Sequence, residues 1–171
     1  IERAPFFLSA ININSITIIP NFTNFINSSD RVMSNMLTVS ASKPNDALNP
    51  ILYADEEVSG IANISKVFLD TVEIIHNATE SMLVNNIEFY DIIHFATHSD
   101  AAGVYLNKDL INDGRLSLTE IQKLNLDGQI IFLSSCKSAV GDYEYGEGIS
   151  SIAKAFIYAG AGGVIASLWR L

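Results

Sequence analysis

Cysteine is almost missing from this chain: Cys136 is the single one in 171 residues. One thiol excludes an internal disulfide framework and a Cys-rich zinc or iron–sulfur site. Such usage fits a reducing, cytoplasmic compartment. Basic residues are scarce too, with ten Lys and Arg against nineteen Asp and Glu, a formal net charge of -9. A chain of that sign has little reason to follow a nucleic-acid backbone or an anionic membrane by general electrostatics. A cationic partner or substrate suits it better. No run of eighteen apolar residues occurs, so no membrane-spanning helix is expected. The opening Ile1-Glu2-Arg3-Ala4-Pro5 lacks the basic-then-apolar pattern of a signal peptide. Charged residues make up only 17%, which excludes a charge-dense disordered tail. Apolar residues are plentiful, at 49%, and ample for one substantial core.

Those apolar residues fall into short strand-like runs separated by helical ones. Ile11, Ile13 and Ile16 to Ile19 favour short strands through β-branching, and Pro20 ends the run. Leu37 to Ala41 reads as a strand, closed by the turn formers Ser42 to Asp46. Asp55, Glu56 and Glu57 open a helix to about Ile64, where the helix dipole favours negative charge. Phe68 to Ile74 is expected as a strand, Thr79 to Asn86 as a helix, and Asp91 to Thr97 as a strand. Leu116 to Leu124 is expected as a helix with Ser117 and Glu120 in a capping box. Gln129 to Ser134 reads as a buried parallel strand, Gly148 to Ala159 as a helix, Gly160 to Gly163 as its terminating turn, and Val164 to Leu168 as a last strand. Alternation of this kind predicts a layered α/β domain with a mainly parallel central sheet. The chain stops straight after a strand, so both ends are expected to be truncated.

Ligands of an open parallel sheet bind beyond the carboxyl ends of its strands. Two such ends carry reactive groups: His98 follows the strand ending at Thr97, and Cys136 follows the strand ending at Ser134 or Ser135. Neighbouring strands lie roughly 4.8 Å apart, so their tips can hold an imidazole and a thiol over one cleft. A free thiol, with a pKa of about 8.5, needs such a base to become a nucleophile at neutral pH. By itself Cys136 reads first as a small buried hydrophobe and only second as a nucleophile. His94 and His98 are separated by roughly 13 Å along a strand, too far to share a metal. His94 is therefore read as a packed or hydrogen-bonded support, with Ser134 supporting beside it, and His76 as a surface residue. No metal site and no cofactor is expected.

Other motifs fail on context. Gly160-Ala161-Gly162-Gly163 leads from helix to strand, the reverse of a phosphate-cradling loop. Gly146-Glu147-Gly148 lacks the full dinucleotide pattern. The loop Gly141 to Glu147 is more informative, because Asp142, Glu144 and Glu147 stand close behind Cys136 with two tyrosines between them. It suits a specificity wall for a cationic side chain, or a solvated acidic loop.

The segments His94-Phe95-Ala96-Thr97-His98 and Phe132-Leu133-Ser134-Ser135-Cys136 stand in order with Gly146-Glu147-Gly148, Ala155-Phe156, Ala159-Gly160-Ala161 and Val164 to Trp169. Together they closely resemble the CHAT domain, a family of caspase-like cysteine peptidases alongside separase. The resemblance is strong over residues 90 to 169 and looser before them. It implies a caspase-like three-layer sandwich spanning 1–171 as one domain, incomplete at its C-terminus. It implies Cys136 as nucleophile, His98 as catalytic base, and the backbone N–H groups of Cys136 and Ser99 as oxyanion donors. Ser167 and Trp169 would line the substrate groove. The implied substrate is a protein or peptide, with a basic residue before the cut as in separase, and the implied company is a regulatory partner or helical-repeat domain outside this chain. Two departures stand out: Ser99 where the family usually has Gly, and Lys137-Ser138 in place of an acidic-Thr pair. They leave a latent signalling or interaction module as the alternative.

Overall fold

The computed structural model describes residues 16–18, 32–45, 48–100, 102–134 and 152–166. In chain order its elements are β1 (Ile16–Ile18), β2 (Asn35–Ala41), α1 (Ala54–Ser65), β3 (Thr71–Ile75), α2 (Glu80–Val84), a 3-10 turn (Ile87–Phe89), β4 (Ile92–Thr97), β5 (Ser99–Asp100), β6 (Gly103–Tyr105), β7 (Arg115–Ser117), α3 (Leu118–Ile121), β8 (Ile130–Ser134), α4 (Ile152–Tyr158) and β9 (Gly163–Ala166). Six strands form one sheet in the order β1-β9-β8-β4-β2-β3. All its pairings are parallel except that of β1 with β9. The chain builds β2 and β3 toward one edge and then returns to place β4 on the other side of β2. That reversal makes the gap between the carboxyl ends of β2 and β4 the topological switch point.

Strand alternation distributes the two faces. Leu37, Val39, Ile93, Phe95, Ile131 and Leu133 point into the main core, where they meet Leu83 of α2, Ile121 of α3, and Ile152 and Phe156 of α4. The rings of Phe95 and Phe156 lie 5.8 Å apart in a tilted pair. On the opposite face α1 lays Ala54 and Val58 over Ala96, with Ile51 and Ile74 alongside. Helices thus cover both faces, which is why these strands tolerate so few charges.

Gly160 closes α4 with φ of 106°, and a Cβ there would stand 2.0 Å from the carbonyl oxygen of Leu126. The Gly160–Gly163 turn is accordingly a packing device that lets β9 enter beside β8, and no phosphate loop.

Two boundaries and one small sheet differ from the sequence expectations. The strand expected from Phe68 begins at Thr71, because hydrogen bonds from Phe68 and Leu69 to Ser65 O, both 2.9 Å, wind the chain into a turn after α1. The helix expected over 116–124 is shorter. Arg115–Ser117 is a strand pairing with β6, and only Leu118–Ile121 is helical. The capping box of Ser117 and Glu120 is present as expected, one element later than the strand it terminates. Third, the small antiparallel sheet β5-β6-β7 was not anticipated.

Candidate active site

His98 stands one residue beyond β4, where Thr97 pairs with Ala41 of β2 and Ala96 pairs with Ser134 of β8. The strands β4 and β8 are neighbours and parallel, as a shared cleft over their tips requires. Ser134 closes β8, and Cys136 follows it by two residues. Cys136, Asp142, Glu144, Glu147, Ser167 and Trp169 lie outside the described residues.

The imidazole of His98 is half-buried and fixed by one bond: its Nε2 lies 2.7 Å from the carbonyl oxygen of Asn49. A carbonyl only accepts, so Nε2 is the donor, and the neutral tautomer that fits this bond has its lone pair on Nδ1. Asn49 belongs to the loop between β2 and α1, across the switch point. This backbone acceptor was invisible in the sequence, since any residue supplies a carbonyl. Its only signal is Pro50, whose ring holds the preceding residue extended.

A second set of contacts pins the chain just after His98. Tyr105 N donates to His98 O at 2.8 Å, and Ser99 opens β5 opposite Val104. Asp100 gathers the turn: its carboxylate accepts from the backbone N–H of Ala102 at 2.9 Å and of Gly103 at 3.1 Å, from Tyr105 Oη at 2.8 Å, and from Arg115 Nη2 at 3.4 Å. Arg115 also lies 5.6 Å above the Tyr105 ring. Burial pushes the Asp100 carboxyl up, but the Tyr105 hydroxyl, the Ala102 N–H, the Arg115 charge and the Gly103 N–H outweigh it and hold the group below the usual range. The same hydroxyl bond to Asp100, with burial, raises the Tyr105 phenol. The sequence signal was an acidic residue three before a glycine, an Asx-turn pattern.

His94, two positions below Ala96 on β4, is buried at 5% exposure. Its Nε2 lies 2.8 Å from Glu57 Oε1 on α1, while its Nδ1 and the hydroxyl of Thr97 are buried and have no partner among the described residues. His94 and His98 are thus held by different elements and do not converge. Among the described residues no three His, Cys, Asp or Glu side chains gather closely enough for a metal ion. His76 is half-exposed and joins a third group, with Nδ1 3.1 Å from both Ser40 Oγ and Asp55 Oδ1. The Ser40 hydroxyl bond holds the Asp55 carboxyl below its usual range against the opposing effect of burial, with His76 adding to it. Both partners sit on one ring nitrogen, and Ser40 is fully buried. The trio therefore fastens the start of α1 to the sheet and is no relay to a nucleophile.

This arrangement has counterparts among solved structures. The Arg-specific cysteine proteinase gingipain R matches with a TM-score of 0.54 at 12% identity, over 81% of this chain and 32% of that one. The complex of the Porphyromonas gingivalis RgpB pro- and mature domains matches with a TM-score of 0.57 at 10% identity, over 86% of this chain and 37% of that one. The chain thus spans about a third of the length of these proteins. At such identity the likeness shows the fold, a caspase-like one. No curated protein matches at the sequence level. The CHAT domain family matches residues 10–171, nearly the whole sequence, and the chain, with its parallel sheet and histidine-bearing strand tip, belongs to the CHAT domain family.

Proposed function

We propose that this chain carries the centre of a cysteine endopeptidase, with Cys136 as nucleophile and His98 as base. The observation that carries the reading is the setting of His98. It crowns β4 next to β8, the strand that ends two residues before Cys136, and its bond to Asn49 leaves Nδ1 as the proton acceptor. In the reaction Nδ1 takes the thiol proton and Sγ adds to the peptide carbonyl. The carbonyl oxygen gathers charge where the N–H groups of Cys136 and Ser99 stabilise it. His98 then returns the proton to the departing amine, and a thioester forms. Water activated by the same ring attacks the thioester, releasing the acid and the thiol.

The preference for a basic residue before the cut rests on Asp142, Glu144 and Glu147 behind the nucleophile and on the net charge of -9. The Arg specificity stated for gingipain agrees with it. Ser167 and Trp169 line the substrate groove. The enzyme works in the cytoplasm, where a lone thiol stays reduced, under the control of a regulatory or helical-repeat partner. Ser99 favours a second reading, a latent signalling module: a side chain in place of hydrogen narrows the oxyanion pocket.

Alkylation of Cys136 in the full chain between pH 5 and 9, followed by intact mass, separates the two. The peptidase reading expects rapid labelling with an apparent pKa well below 8.5, lost in His98→Ala. An ordinary thiol profile, unchanged in that variant, establishes the latent module. A panel of peptides with Arg, Lys or a neutral residue before the cut tests specificity, and equal cleavage of all three removes the basic preference.

A further inference from the structure

Away from His98, α2, α3 and the β6–β7 connection enclose a cavity of about 320 Å³. Its inner wall is Glu80, only 5% exposed, whose carboxylate accepts no hydrogen bond among the described residues. Its oxygens keep solvent contact through the cavity, where an incoming donor can reach them. Free acceptor atoms stand around the carboxylate, beside the donors of Asn85 and Lys123. Glu120 spends Oε2 on the N–H and hydroxyl of Ser117, at 2.8 and 2.6 Å, which leaves Oε1. Asn112 spends its amide nitrogen on Ser81 Oγ at 2.8 Å and Asp109 Oδ2 at 3.3 Å, which leaves Oδ1. Asp109 and Asp113 add negative charge from the β6–β7 connection.

Burial, then the charges of Glu120, Asp113 and Asp109, push the Glu80 carboxyl up to about 7. One cation, Lys123, also lines the cavity. Among the described residues no ion pair joins it to Glu80 or Glu120.

An acceptor-lined cavity calls for a donor-rich cation. No three acidic side chains converge for a metal ion among the described residues, so a compact ion fits poorly. Val84 and Leu124 supply apolar wall instead, which suits the methylenes of a long side chain whose planar head offers several N–H donors. We propose that this cavity is a docking site for an arginine side chain presented by a protein partner, with Glu80 as its buried counter-charge. The site shares no residue with that around His98 and does not rest on the peptidase reading.

The test uses the full chain carrying Cys136→Ala, so that loss of catalysis has no bearing on it. N-acetyl-arginine amide is titrated by NMR, with N-acetyl-citrulline amide and calcium chloride in parallel. The arginine probe is expected to shift the amide signals of Ser81, Asn85 and Asn112, and the uncharged citrulline probe to leave them in place. Because the cation needs the ionised carboxylate, affinity is expected to rise about tenfold from pH 6 to pH 8. Glu80→Gln is expected to weaken binding about tenfold, and Lys123→Ala to tighten it about threefold by removing a like charge. Equal shifts from citrulline, saturation by calcium in place of arginine, or an unchanged affinity in both variants would overturn the proposal.

Discussion

At the scale of single residues, the candidate centre is defined less by the reactive groups than by what holds them. His98 depends on a carbonyl, Asn49 O, that no side-chain pattern announces. Its following loop depends on Asp100, which ties together two backbone amides, a phenol and a guanidinium. Removing that carboxylate leaves the Tyr105 hydroxyl and the Arg115 charge without their acceptor. On the proposed peptidase reading, Asp100→Ala is expected to lower peptide-bond cleavage about tenfold through misplacement of His98. Because the carboxylate is half-exposed, stability falls by less than about 1 kcal/mol. The sign of the pH effect follows from the lowered Asp100 carboxyl. The unfolded group titrates near 3.8 and the folded one below it, so the stabilisation is complete above that value and is lost as pH falls through the lower one. Carbon NMR of the Asp100 carboxyl, with the Tyr105 ring as reporter, checks this. A midpoint at or above 3.8 contradicts it.

At the scale of elements, α4 and the sheet make the decisive contact. Phe156 is fully buried and meets Phe95 from the centre of β4, the strand that ends at His98. Phe156→Ala is expected to cost about 3–5 kcal/mol in denaturant unfolding, because the rigid strands around the cavity cannot collapse into it. A loss under about 1 kcal/mol would mean that α4 is not seated on β4. The long strands and α1 were legible because short apolar runs and a cluster of acidic residues at a helix start declare themselves locally. β2, β4 and β8 appear within two residues of their expected bounds, and the capping box at Ser117 is where its spacing puts it. The β5-β6-β7 sheet was not legible, since strands of two or three residues are too short to show alternation. Leu116 looked helical because its neighbours Ile121 and Leu124 also face the core. Its pairing with Val104 is a tertiary fact. The histidine-bearing tip was readable from residue types at a strand end, whereas its anchors, Asn49, Tyr105 and Arg115, come from three separate segments that only the fold brings together.

At the scale of the whole molecule, an excess of nine negative charges is spread over a domain whose helices carry few cations. The consequence gathers at Glu80, where burial and three neighbouring carboxylates resist ionisation. In the unfolded chain this group loses its proton near 4.5, and in the folded protein near 7. Between those values the unfolded state has released a proton that the folded state still binds, so stability falls as pH rises through this window and levels off above it. Glutamine keeps the shape of the protonated acid and cannot ionise. Glu80→Gln is therefore expected to stabilise the protein by about 2 kcal/mol at pH 8 and by almost nothing at pH 4.5, with the gain growing across the interval. Urea unfolding of both proteins at half-unit pH steps measures it. If the two stability curves run parallel from pH 4.5 to 8, Glu80 is ionised throughout in the folded protein, and some group in the cavity already neutralises it.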